Sequence, residues 1–260
     1  MVFQLSNTVL LSLLLVLIST ALLLIVQKNT TNVIPGHKIT NRDPTFIIAG
    51  PSGSGKTSLF NVLTTDTVKP TVMSQTPNVA EDYMLPSTVK SFKFKLIEFP
   101  GHVKLRYRLF DTLKESTALK GLIFVVDSTI DPQKLADTAE FLYDILALTE
   151  RFPEGVDIMI ACNKSESFSS RPPLKIRDAL EKEIGKVIER KAKSLSAVNK
   201  SGETIGESGS DDASAASLNF QGIRDFNFDA LDGNVDAIEG SVLKNQIEKW
   251  ECWIDERSVN

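Results

Sequence analysis

Three hydrophobic patterns follow one another along the chain. The first, Thr8 to Val26, reads "TVLLSLLLVLISTALLLIV", apolar on all sides, with scattered Ser and Thr and no charge. At 1.5 Å per helical residue it reaches about 28 Å, close to the ~30 Å hydrocarbon layer of a bilayer. It is longer than the roughly 7–15-residue core of a signal peptide, has no basic residue before it, and is followed by "QKNTTNVIPG", which offers no small-x-small cleavage site. The pattern predicts an uncleaved transmembrane anchor over residues 8–26.

The second pattern is a series of short apolar runs. "TFIIAG" (45–50), "GLIFVVD" (121–127) and "VDIMIACN" (156–163) are continuous, as strands covered on both faces should be. "SFKFKLIEF" (91–99) alternates, with Phe92, Phe94 and Leu96 on one face and Lys93 and Lys95 on the other. "FNFDAL" (226–231) is a weaker strand candidate. The third pattern, helical spacing, falls between these runs at roughly 56–64, 102–119, 133–151, 173–195 and 241–256. Strand–helix alternation of this kind predicts an α/β domain over 45–256, a mainly parallel sheet with helices on both faces. Residues 27–44 read as a linker. Residues 196–219, "SAVNKSGETIGESGSDDASAASLN", cannot fill a core and are expected to form a disordered surface loop.

Charge adds orientation. Lys28, Lys38 and Arg42 flank the apolar segment on its C-terminal side and nothing basic precedes it, so the α/β domain is expected in the cytosol. A net charge of −4 argues against direct nucleic-acid binding. The two cysteines, Cys162 and Cys252, have no metal-ligand spacing and suggest a reducing compartment.

The candidate chemistry begins at Gly50-Pro51-Ser52-Gly53-Ser54-Gly55-Lys56-Thr57, followed by Ser58, which matches G-x-x-x-x-G-K-[ST]. Glycines let such a loop wrap so that main-chain N–H groups face the β-phosphate, and the following helix adds its positive end. Lys56 would reach the β- and γ-phosphates and the Thr57 hydroxyl would ligate Mg²⁺. The loop alone does not separate ATP from GTP. "IACNKSE" ends a later strand with Asn163, Lys164 and Glu166 in the order N-K-x-acid. A carboxylate there can accept from the guanine N1–H and N2 amino group, a donor pair that adenine lacks. Asn163 would bind the other base edge or tether the loops, and the Lys164 stem would cover the ring. GTP with Mg²⁺ is the expected ligand.

A third stretch, Glu98-Phe99-Pro100-Gly101-His102, stands at a strand end where small GTPases carry D-x-x-G. The acid Glu98 would hold the magnesium and the Gly101 N–H would contact the γ-phosphate. With these motifs in order the chain resembles an Arf-related small GTPase. The anchor, "FPGHVKLRYRLFDTLK", "GLIFVVDST", "AEFLYDIL", "IACNKSE" and a C-terminal helix with two tryptophans resemble the β subunits of the signal recognition particle receptor, especially the fungal ones.

The resemblance implies a protein of the endoplasmic reticulum membrane, single-pass, with residues 1–7 in the lumen. It further implies docking of the receptor α subunit, through that partner's N-terminal domain, onto two switch regions. Ribosome and translocon lie in the same delivery pathway. The first switch would be "KPTVMSQTPNV" (69–79), where Thr71, or in competition Thr76, resembles the threonine that closes over magnesium; the second is "FPGHVKLRYR" (99–108). Ala230 in "FNFDALDG" matches the alanine of an S-A-K-like guanine loop.

His102 occupies the place of the water-orienting glutamine, or faces away from it, and no cis arginine finger stands out, so slow GTPase turnover at most is expected. Two other functions compete: an interaction scaffold with permanently bound GTP, and a membrane-tethered P-loop ATPase or kinase.

Overall fold

The computed structural model describes residues 44–84, 93–131, 134–201 and 226–258. The expected anchor (8–26) and linker (27–44, apart from Pro44) lie outside these residues, as does the expected loop beyond Ser201. No helix among the described residues is long and apolar enough to cross a membrane.

Six strands form one sheet in the order β2-β3-β1-β4-β5-β6. They are β1 (Thr45–Ala49), β2 (Asn78–Tyr83), β3 (Phe94–Glu98), β4 (Leu119–Asp127), β5 (Ile158–Asn163) and β6 (Val235–Glu239). All neighbours run parallel except β2, which pairs antiparallel with β3. Among the described residues the sheet is accompanied by the helices α1 (Lys56–Thr65), α2 (Tyr107–Glu115), α3 (Ala136–Thr149), α4 (Pro173–Ser201) and α5 (Glu248–Ser258).

The apolar runs take the centre of the sheet for the reason their pattern gives: β1 and β5 are buried at every position. Each central side chain removed from water contributes about 1.5–3 kcal/mol. One face packs Ile47, Phe124 and Ile160 under α2, α3 and α4. The other packs Phe46, Ile48 and Met159 under α1 and α5, with Trp250 and Trp253 filling the layer. A β-carbon at Gly121 would lie 2.9 Å from the Trp253 ring, so this glycine lets the indole settle on β4.

Two expectations are corrected and one strand is added. "FNFDAL" is not a strand: Phe228–Ala230 is a 3-10 turn capped by Asn227, whose side chain accepts from the Asp229 N–H at 3.0 Å. The sixth strand follows it, in "VDAIE". There Asp236 breaks the apolar pattern because its carboxylate is met by the Trp253 indole at 2.9 Å and by Arg257. The residues expected as a loop from 196 begin helically, since α4 continues to Ser201.

The edge strand β2 escapes a hydrophobic reading because one of its faces is solvated. Its register on β3 shifts between Ala80 and Tyr83, where a bulge interrupts the ladder.

Candidate nucleotide site

The carboxyl ends of β1, β3, β4 and β5 converge on one side of the sheet. Ile48 lies opposite Glu98, and Asp127 opposite Asn163, in the strand registers. In an open α/β sheet this is where a ligand crevice forms. A cavity of about 410 Å³ lies there, lined by the loop from Ser52 to Ser58, by Thr71 to Ser74, and by Glu98, Gly101 and Lys164. A hollow of about 460 Å³ beside Leu174, Ala237 and Trp253 lies at the β6 edge of the sheet and contains none of the loop residues.

The loop between β1 and α1 is shaped by glycines that nothing else could replace. Gly50 has φ 138 and a β-carbon there would meet the Val125 carbonyl oxygen at 2.3 Å. Gly55 has φ 101 and its β-carbon would meet the Asn163 amide nitrogen at 2.2 Å. Gly101 packs on the same loop, where a β-carbon would come within 2.6 Å of Gly50 and Ser52 main-chain atoms. Lys56 is buried, 5% exposed, and its ammonium donates to the Pro51 carbonyl at 2.8 Å, drawing the loop around itself. Burial pushes its pKa down to about 8, against the pull of Glu98 and together with the repulsion of Arg106. The Ser54 hydroxyl is buried with no partner among the described residues.

Beside this loop four polar side chains converge. Thr57 Oγ1 donates to Glu98 Oε1 at 3.0 Å and lies 3.2 Å from Ser74 Oγ. Ser74 donates to Glu98 Oε2 at 3.3 Å, and the Asn78 amide donates to the same oxygen at 2.6 Å. Glu98 is 1% exposed, and burial raises its pKa while Asn78, Lys56, Thr57 and Ser74 resist the shift. Two hydroxyls and a carboxylate make a hard oxygen set, the donor chemistry that suits Mg²⁺.

Neither threonine expected from the first switch joins this set. Thr71 is exposed and lies 3.3 Å from the hydroxyl of half-buried Ser58, and Thr76 is exposed on the bend that follows. Ser74, on the same segment, is the hydroxyl that reaches Thr57 and Glu98.

At the other end of the crevice, Asn163 Nδ2 donates to the Ser54 carbonyl at 2.8 Å and Asn163 Oδ1 accepts from the Val242 N–H at 3.1 Å. The Ser165 N–H donates to the Gly240 carbonyl at 3.3 Å. The segment brought to the N-K-S-E turn is therefore Gly240 to Val242. Ala230 is not: it ends the 3-10 turn before β6, next to Asp229, which pairs with Arg177. The sequence signal for this segment is "EGSVLK" directly after a strand, obscured because β6 itself was missed. Glu166 is exposed on its turn, and Lys164 takes a left-handed conformation, φ 67.

His102 is exposed and caps its own 3-10 turn, Nδ1 accepting from the Lys104 N–H at 3.2 Å. Arg106 is half-buried with its guanidinium 3.9 Å from the Phe141 ring centre, turned onto α3.

A phosphate loop after β1, an acid ending β3 and an N-K-x-acid turn after β5, on this strand order, define a small GTPase fold of the P-loop class. The family model described as signal recognition particle receptor beta subunit matches residues 41–235. The chain belongs to that family. The beta subunit of Saccharomyces cerevisiae is 50% identical over 257 residues, which span 98% of this chain and 100% of that protein. A structure of the mammalian SRP receptor superposes with a TM-score of 0.64 at 28% identity, covering 82% of this chain and 99% of the other. The SRb-GTP/SRX complex of Chaetomium thermophilum superposes with a TM-score of 0.60 at 25% identity, covering 82% and 98%.

Proposed function

We propose that this protein is a membrane-anchored guanine-nucleotide switch that holds the receptor α subunit at the endoplasmic reticulum. The observation that carries the nucleotide reading is the pair of hydrogen bonds made by the Asn163 side chain, to the phosphate loop and from the Val242 N–H. It supports reading the N-K-S-E turn, the phosphate loop and the loop after β6 as parts of one crevice for base and phosphates. GTP fits that arrangement: the loop from Gly50 to Thr57, with Ser58, takes the phosphates. Glu166 would face the guanine edge, and the main-chain N–H of Leu243, next to the Val242 N–H that Asn163 already accepts, would serve the guanine carbonyl in place of Ala230. Bound Mg²⁺ supplies charge neutralisation at the β- and γ-phosphates. Thr57, Ser74 and Glu98 are the residues of this chain that would hold it, in place of a set containing Thr71.

The proposed anchor is residues 8–26, with 1–7 in the lumen and the domain from 45 in the cytosol. The docking surface is supported by exposed apolar side chains on both switches: Val72, Met73 and Val79 on the first, Val103 and Tyr107 on the second. The C. thermophilum relative is a complex of the GTP form with SRX, which supports a protein partner at a nucleotide-dependent surface here. If partner and GTP each favour the same switch conformation, each tightens the other by the same factor. The engagement of His102 Nδ1 within its own turn and of Arg106 with Phe141 favours slow turnover.

The test uses the full-length chain in detergent with Mg²⁺ and fluorescent GTP, competed by GTP, GDP and ATP, beside a Glu166→Ala variant. Guanine nucleotides should win by orders of magnitude, and the variant should lose that preference. ATP competing equally would overturn the guanine reading. Retention of the α subunit's N-terminal domain should then depend on loading with GTP rather than GDP.

A further inference from the structure

Asp127 ends β4 and is set up as an acceptor with one oxygen reserved. Its Oδ1 accepts from the Thr129 N–H at 2.9 Å and from the Thr129 hydroxyl at 2.7 Å. Its Oδ2 accepts from the Lys164 ammonium at 2.5 Å. The carboxylate is shielded, 13% exposed, while the lysine is 37% exposed and also lines the nucleotide cavity. Burial would raise the carboxyl's pKa, yet the bonds from Lys164 and Thr129 hold it below the usual range.

The two loops that carry this pair are joined by main-chain bonds as well. Ser128 N–H donates to the Asn163 carbonyl at 3.0 Å, and Arg171 N–H donates to the Ser128 carbonyl at 3.1 Å. Lys164 itself has positive φ, a conformation that a lysine keeps only when its surroundings impose it.

We infer that Asp127 is a positioning residue of the base site: it fixes the Lys164 ammonium so that the lysine stem is already set as a wall of the nucleotide cavity before a purine arrives. The inference rests on the nucleotide reading above. Lysine has the rotamer freedom to leave such a wall, and ordering it against a ligand would be charged to binding. With the ammonium held by an oriented, shielded carboxylate, that ordering is met during folding instead. An exposed surface pair would not do this, since such pairs are worth little. The oriented acceptor and its burial distinguish this one.

The competing role is purely structural, a clip between the ends of β4 and β5. A double-mutant cycle separates the two. Release of fluorescent GDP, and in parallel fluorescent ADP, is followed by stopped flow from the full-length chain in detergent. The variants are Asp127→Ala, Lys164→Ala, the double variant and Asp127→Glu, with melting temperatures alongside.

Asp127→Ala should release GDP roughly tenfold faster. The double variant should be no faster than Lys164→Ala alone, and Asp127→Glu should recover most of the loss. Additive effects, or an unchanged rate in Asp127→Ala, would overturn the inference. Should Asp127→Ala fold poorly, Thr129→Val frees one of the bonds on Oδ1 and should show the same coupling to Lys164 at about threefold; no coupling there overturns it too. A wild-type chain that holds ADP as well as GDP removes the guanine reading while the cycle still judges Asp127. One that holds neither removes both.

Discussion

The side-chain oxygen of Asn163 accepts the main-chain N–H of Val242 at 3.1 Å, joining the end of β5 to the loop after β6. The same side chain donates to Ser54 at 2.8 Å, so one buried amide holds three loops in register. Asn163→Ala leaves a buried N–H and a buried carbonyl without their partner. The expected loss is about 2–3 kcal/mol of stability, read by urea unfolding, with faster nucleotide release. Asn163→Asp keeps the Val242 bond but sets a carboxylate against the Ser54 carbonyl, and should release nucleotide faster still.

The placement of Ser74 against Thr57 and Glu98 predicts which hydroxyl of the first switch matters. Ser74→Ala should shift the Mg²⁺ concentration needed for tight GTP binding upward by about tenfold. Thr71→Ala should shift it far less, because the Thr71 hydroxyl lies by Ser58 rather than by Thr57 or Glu98. A magnesium titration with fluorescent GTP reads both. The reverse ranking would return the assignment to Thr71.

Gly101 has no room for a side chain against Gly50 and Ser52. Gly101→Ala must displace the phosphate loop, not a flexible neighbour, and such overpacking costs typically about 1–3 kcal/mol. Thermal unfolding should show that loss, and GTP affinity should fall further than the stability change alone explains.

The two cysteines should differ in reactivity. Cys162 is buried in β5 and burial pushes its pKa up to about 12 from an ordinary 9.0, whereas Cys252 is exposed. Ellman's reagent at pH 8 should titrate one thiol in the folded protein and two after unfolding. Because the folded pKa is the higher one, this group has no effect on stability below pH 9. Between pH 9 and 12 the unfolded thiol ionises first, and its contribution falls by about 1.4 kcal/mol per pH unit. Cys162→Ser should flatten that part of the pH profile.

How much of this was legible depended on whether a position's role shows in its own residue type. The four apolar strands and the phosphate loop were readable because burial on both faces and the glycine spacing each leave a local pattern. β2 and β6 were not, since edge strands keep polar residues whose partners lie elsewhere: Lys93 opposite Asp82, and Trp253 and Arg257 on Asp236. The segment joined to the N-K-S-E turn was misplaced for the same reason. Ala230 matched a letter in a motif, while Val242 is recruited through its main-chain N–H, which any residue but proline supplies. Asp127 and Asn78 act through other side chains, and nothing in "VVDST" or "TPNV" announces that.

The bulge between Ala80 and Tyr83 divides β2 into two pieces of different register on β3. Asn78, on the near piece, is bonded to the carboxylate that faces the cavity, while Tyr83, on the far piece, is anchored in the core. The ladder that links Asn78 to the core aromatic is therefore interrupted between them, so the cavity-facing end of the strand and its core-anchored end do not share one unbroken register.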